Sequence, residues 1–137
     1  MVHALEKVYS LLKPNGQLID IHPLFDPPVF EVRIGAKHVP AGWLRETDDY
    51  EEYELADEAL LSVVESGLFA VERQGTFSFI THADSVTELR QHLIDEWQDA
   101  IIDDVTFARA EEMFGTIERD KEMLLRVAAH IARYRKI

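Results

Sequence analysis

The chain has 137 residues, 47% of them apolar, with 26 acidic against 14 basic side chains and no cysteine. That length suits one domain over residues 1–137, and the absence of cysteine excludes a disulfide framework, a thiolate metal site and a cysteine nucleophile. A formal net charge of −12 repels phosphate backbones and anionic lipid, so neither nucleic acid nor a membrane is an expected partner.

Val2, Leu5, Val8 or Tyr9, and Leu12 recur at helical spacing and predict a helix over 1–12. It is amphipathic and carries Glu6, which does not suit a signal peptide. No stretch of the chain approaches the roughly 20 apolar residues that span a bilayer. The expected compartment is the cytoplasm. Pro14 stops the helix and Asn15-Gly16 supplies a turn. Gln17 to His22 then reads as a short strand buried on both faces. Pro23, Pro27 and Pro28 force an irregular extended segment after it.

Val29 to Ile34 and Lys37 to Leu44 predict two strands, with Gly35-Ala36 as a two-residue hairpin turn. Pro40 and Gly42 make the second arm irregular and place it at a sheet edge. Asp48 or Asp49 is suited to cap a following helix whose apolar stripe is Tyr53, Ala56, Leu60 and Val63 or Val64, with Gly67 at its C-terminal end. Leu68 to His82 predicts strand, since Phe69, Val71, Phe77 and Phe79 share a period of two. Gln74-Gly75 interrupts it as a bulge or as a hairpin turn. Packing in the core is the expectation for Phe77 and Phe79.

Ser85-Val86-Thr87-Glu88 is a capping box opening a helix with Val86, Leu89, Leu93 and Trp97 on one face. Asp103 or Asp104 starts a further helix that ends near Gly115. The tail KEMLLRVAAHIARYRK fits either period: Leu124, Val127, Ala128, Ile131 and Tyr134 as a helix face, or Leu125, Val127, Ala129 and Ile131 as a strand face with Arg126, Ala128 and His130 opposite.

Charge is uneven along the chain. Residues 46–72 hold ten acids and no Lys or Arg, whereas residues 123–137 hold four bases and no acid. A solvated acidic helix face, with the basic tail near it, is the ordinary expectation; a basic partner is the functional one.

The stretch LEKVYSLLKPNGQLIDIHP resembles the segment of class I S-adenosylmethionine-dependent methyltransferases that leads into their fifth strand, with Asn15 where the first glycine of a Leu-Lys-Pro-Gly-Gly turn usually stands. ELADEALLSVVESGLFAVERQGTFSFITHADSVTELRQHL is similar to the C-terminal portion of small members of that family. The resemblance implies an α+β fold: a partial, methyltransferase-like (Rossmann-like) mixed sheet with flanking helices. It also implies that 17–22, 49–66 and 68–82 are a strand, helix and strand, with 122–133 an antiparallel strand between the two. The family binds its cofactor through a Gly-rich turn and a ribose-binding acid in its N-terminal half. The Gly-rich turn is not found here, because no two of the six glycines are close enough to write GxG, and the resemblance covers only the family's C-terminal half, to which the ribose-binding acid does not belong.

No cofactor site and no catalytic or metal site is therefore assigned from sequence. The pocket or interface candidates are Asp20, His22, Asp26 and Trp43. Asp20 and His22, two potential metal ligands, lie at i and i+2 on one face of a strand, near its C-terminal end, and Asp26 could join them in a metal-dependent activity; ordinary hydrogen bonds beside the prolines are the plainer reading. Trp43 sits in a Pro/Gly-rich arm. Glu88, His92 and Glu96 are spaced for helix-surface pairing, and His82, Asp84 and Ser85 for capping rather than for a triad. In the family, strand 17–22 would be flanked by a fourth strand, which this chain lacks unless the 29–44 hairpin folds back to replace it. The expectation is a non-catalytic binding or assembly module that pairs with a second copy through Val2, Leu5, Tyr9, Leu18 and Trp43. The alternative is one half of a split methyltransferase, completed by a separate cofactor-binding chain.

Overall fold

A computed structural model of the chain describes residues 1–47, 50–116 and 119–137. The fold is mixed α+β with a mostly antiparallel sheet. Its elements are α1 (Val2–Leu11), β1 (Gln17–Pro23), β2 (Val29–Ile34), β3 (Lys37–Trp43), β4 (Arg45–Glu46), α2 (Glu51–Glu65), β5 (Phe69–Ala83), α3 (Val86–Glu96), β6 (Ala100–Ile101), α4 (Asp104–Phe114) and β7 (Lys121–Lys136). The ambiguous tail is a strand of 16 residues. It pairs antiparallel with β1 through residues 129–135 and antiparallel with β2 through residues 121–126. β5 also pairs with β7. Helix propensity in the tail yields to this pairing, because a strand flanked on its ladder can bury both of its faces.

The chain forms two compact units. The first comprises Met1–Phe25, Tyr50–Phe77 and Ala128–Ile137, and the second comprises Asp26–Asp49 and Ser78–Val127.

In the first unit, α1 and α2 pack together and cover one face of β1 and β7. Leu60 and Val63 of α2 meet Phe69, Ala132 and Tyr134, and Val2, Leu5, Tyr9, Leu12 and Leu18 close around them. The apolar stripe of α1 is thus spent inside its own unit, where Tyr9 also stacks edge-on to Phe69 at 5.5 Å. This corrects the expectation that Val2, Leu5, Tyr9 and Leu18 lie bare for a second copy. The C-terminal end of α2 is a Schellman motif: Leu68 N–H donates to Val63 C=O at 3.1 Å and Gly67 N–H to Val64 C=O at 3.0 Å. The helix starts after Tyr50; the proposed caps, Asp48 and Asp49, lie outside the described residues.

In the second unit, β2 and β3 form the expected hairpin, with Gly35 in the left-handed region at φ +58 that the first turn position demands. The register slips between Phe30 and Glu31, which pair with Gly42 and Pro40 and so leave Ala41 as the extra residue. β3 lies at the sheet's edge, where proline is tolerated. The hairpin pairs with β7, not with β1, so it does not replace a strand beside β1. Phe30, Val32, Leu44, Leu89, Met123 and Leu125 form the core, each at 1% exposure or less. α3 opens on the capping box, Glu88 N–H donating to Ser85 Oγ at 3.1 Å, while the Glu88 carboxylate accepts from Asp84 N–H at 2.7 Å. α4 is capped by Asp103, whose carboxylate accepts from Thr106 N–H at 2.6 Å.

Two expectations for 68–82 change. The strand runs unbroken through Gln74-Gly75, so there is no hairpin turn there. Phe77 and Phe79 are 36% and 52% exposed rather than in the core. Period two marks which side chains share a face; it does not say whether another layer covers that face.

Candidate functional site

The first unit gathers its titratable side chains at one place. Asp20 and His22 share the helix-covered face of β1, as the i, i+2 spacing requires. The β1–β7 register sets His22 directly opposite His130 and Asp20 opposite Ala132. The two imidazoles lie 5.4 Å apart, centroid to centroid. Asp57 reaches in from α2.

His22 is buried and held at both ring nitrogens: Nδ1 lies 2.6 Å from Asp20 Oδ2, and Nε2 lies 2.9 Å from Asp57 Oδ1. A carboxylate only accepts, so both contacts are hydrogen bonds at once when both nitrogens carry protons. His130 presents the opposite situation: its Nδ1 is buried and has no hydrogen-bond partner among the described residues. Asp20, His22 and His130 each offer one ligating atom, all within 4.8 Å of one another. Tyr134 follows on the same face of β7. Burial, with the nearby charges of Asp20 and Asp57, holds its phenol above the usual range, so it stays a neutral O–H through neutral pH. A cavity of about 230 Å³ is lined by Asp57, His130 and Tyr134 together with Leu60, Leu61 and Val64. The arrangement can hold a proton at His22 between two carboxylates, or a cation among two imidazoles and a carboxylate.

Of the residues singled out from sequence, Asp20 and His22 come together as expected. Asp26 is exposed in the second unit, and Trp43 is exposed on β3, across the ladder from Val29. His82 pairs with Glu122, and Ser85 is occupied as a cap. His130, Asp57 and Tyr134 escaped the sequence reading. His130 stood in the strand alternative for the tail, but only pairing with β1 brings it to His22. Asp57 was one acid among ten.

Among the described residues, no helix of the first unit lies on the opposite face of the same strands. Ile19 and Ile21 are 61% and 52% exposed, and Ile131, opposite Ile21, is 37% exposed. A groove of about 410 Å³ runs there, lined by Ile19, Ile131, Arg133, Arg73, Gln74 and Gly75. Among the described residues β1 pairs with β7 alone, so its other edge is free. The acids of α2 are exposed, and Asp57 meets His22. Of the tail's arginines, Arg133 and Arg135 pair with Glu72, the last acid of the run, at 3.0 and 3.1 Å, and Arg126 pairs with Glu31 at 2.7 Å. Among the described residues no helix is long and apolar enough to cross a membrane. Comparison with protein-family models, with curated proteins and with solved structures finds no match for this chain.

Proposed function

We propose that the chain is a non-catalytic binding and assembly module that works as a homodimer in the cytoplasm. The observation that carries this reading is β1: an apolar edge strand, paired on one side, with Ile19 and Ile21 open to solvent on the face away from the helices. An edge of this kind invites another strand, and natural proteins blunt it with lysine, proline or a bulge. From Leu18 to Ile21 β1 has no lysine, proline or bulge; its one charge, Asp20, lies on the helix-covered face with His22, and Ile19 and Ile21 leave the other face apolar. A second copy is the simplest occupant, because antiparallel pairing of β1 with its own copy is two-fold symmetric and closes on itself. Covering Ile19, Ile21 and Ile131 adds apolar burial worth about 25 cal/mol per Å².

Light scattering at micromolar concentration tests this. The expected mass is twice that of the chain, and Ile19→Lys with Ile21→Lys is expected to halve it without changing the far-ultraviolet circular dichroism. A monomer at every concentration rejects the reading.

A second reading is supported by the same free edge. In the methyltransferase resemblance, β1 stands for the fifth strand and its open side for the place of the fourth. Both β1 and β5 pair with β7, the arrangement that resemblance implies. A separate chain bearing the cofactor-binding half would then pair with β1. Calorimetric titration with S-adenosylmethionine and S-adenosylhomocysteine, of the chain alone and with a partner encoded beside it, separates the two. No tight binding by the chain alone is expected, since it has no Gly-rich turn and no ribose-binding acid. Tight binding only with the partner would favour the split enzyme.

A further inference from the structure

We propose that Asp20, His22 and His130 bind one divalent first-row transition metal, with Asp57 as the outer carboxylate that orients His22. Among the described residues no other three such side chains gather this closely. The site is independent of the assembly reading, because it lies on the helix-covered face of β1 and β7, away from Ile19 and Ile21.

Four observations converge. The donor set is two imidazoles and one carboxylate, which suits Zn²⁺, Co²⁺ or Fe²⁺ and not the all-oxygen shells of Mg²⁺ or Ca²⁺. The three residues stand on a ladder, with Asp20 and His22 two apart on β1 and His130 paired to His22, so backbone hydrogen bonds and not loops hold them. His130 Nδ1 is buried and unpartnered, a state that buried polar atoms rarely keep. Finally, Asp57 accepts from His22 Nε2 at 2.9 Å, which leaves Nδ1, beside Asp20 Oδ2, as the coordinating nitrogen. A carboxylate behind a ligating imidazole is the usual outer partner of a metal-bound histidine.

Asp20 Oδ2 and His22 Nδ1 are 2.6 Å apart. A metal bound there takes the place of that hydrogen bond. Bonds of about 2.0–2.2 Å require that pair to open slightly and His130 to close in, movements within reach of side-chain rotation. A cavity of about 230 Å³ adjoins the site at His130 and Asp57.

The test uses the full chain after chelator treatment, titrated with Co²⁺ by visible absorption and then with Zn²⁺ by displacement. One Co²⁺ per chain is expected, with d–d bands that Zn²⁺ removes. His130→Ala and Asp20→Asn are each expected to weaken binding more than tenfold. Asp57→Asn is expected to weaken it about 10-fold while the bands remain, as an outer carboxylate does. His3→Ala and His92→Ala, at exposed positions, are expected to change nothing. Failure to saturate at one ion per chain overturns the proposal, as does a folded His130→Ala protein that binds as the parent does. Should either ligand variant fail to fold, proton NMR of the Co²⁺-bound parent decides. Paramagnetically shifted ring signals from His22 and His130 support the site, whereas shifts confined to other histidines reject it.

Discussion

The two compact units treat their polar and apolar groups differently. In the second unit, Phe30, Val32, Leu44, Leu89, Met123 and Leu125 seal one core. Two of its arginines are paired with its own acids. Arg126 donates through Nε and Nη2 to the buried Glu31 at 3.1 and 2.7 Å, and Arg33 meets Glu122 at 2.5 Å. The first unit has a smaller core on one face of its strands. It leaves Ile19 and Ile21 exposed on the other face, a strand edge unpaired and a buried imidazole nitrogen without a partner. Among the described residues the second unit also exposes Trp43, Ile94 and Val105 and ends its sheet on an open strand, β3, so what distinguishes the first unit is its buried imidazole nitrogen without a partner, beside a histidine held by two carboxylates.

Substitutions measure this contrast. The largest effect is expected from Phe30→Ala, whose ring is fully buried and lies edge-on to Phe107 at 5.5 Å. A loss of about 3–5 kcal/mol in urea denaturation is expected from the transfer and cavity costs. A loss under about 1 kcal/mol would mean that the second core is not the sealed one.

Two further substitutions strain the second unit from other directions. A Cβ at Gly42 would stand 2.6 Å from Thr106 Cγ2 and closer still to its Oγ1. Gly42→Ala should therefore push α4 from β3 and cost about 1–3 kcal/mol, read as a lower Tm. Glu31→Gln keeps the size of the side chain but removes the charge facing Arg126. Because Arg126 is a third exposed, the expected cost is nearer 1 than 3 kcal/mol, about that of a charged hydrogen bond partly repaid by water.

Acid should reach the second unit through named groups. His82 and then Arg33 hold the Glu122 carboxyl below its usual range, and the Thr106 backbone N–H does the same for Asp103. A carboxyl lowered on folding stabilises fully above its unfolded value and loses that contribution as pH falls through the folded one. Melting temperature should therefore fall as pH drops below about 4. Glu122→Gln should flatten that limb, and an unchanged slope would remove Glu122 from the account.

The smallest effect is expected from Ile19→Thr. On an open face, the change should alter the stability of the isolated chain by less than about 0.5 kcal/mol, measured in urea at concentrations below any self-association. A cost of 2 kcal/mol or more would mean, on the same scale, that Ile19 is covered within the chain, and it would erase the contrast between the units.

Local chemistry alone determined much of this molecule. Pro14 and Gly16 end α1, Gly35-Ala36 turns the β2–β3 hairpin, Ser85 and Glu88 open α3, and Asp103 opens α4. Each rests on a backbone requirement met within four residues. The pairing of Asp20 with His22 was equally local, since strand geometry puts i and i+2 on one face. Tertiary structure decided what local signals leave balanced. The tail has both helical and alternating periods, and pairing with β1 and β2 made it β7. That pairing also carried His130 across to His22, a separation of 108 positions that no spacing rule bridges. Coverage was likewise a tertiary matter. Phe77 and Phe79 alternate as core residues do, and α1 has the stripe of a docking helix, yet the phenylalanines lie outside the core and the stripe is closed over by α2. Burial depends on which layer arrives at a face, and a single strand or helix does not encode its neighbour.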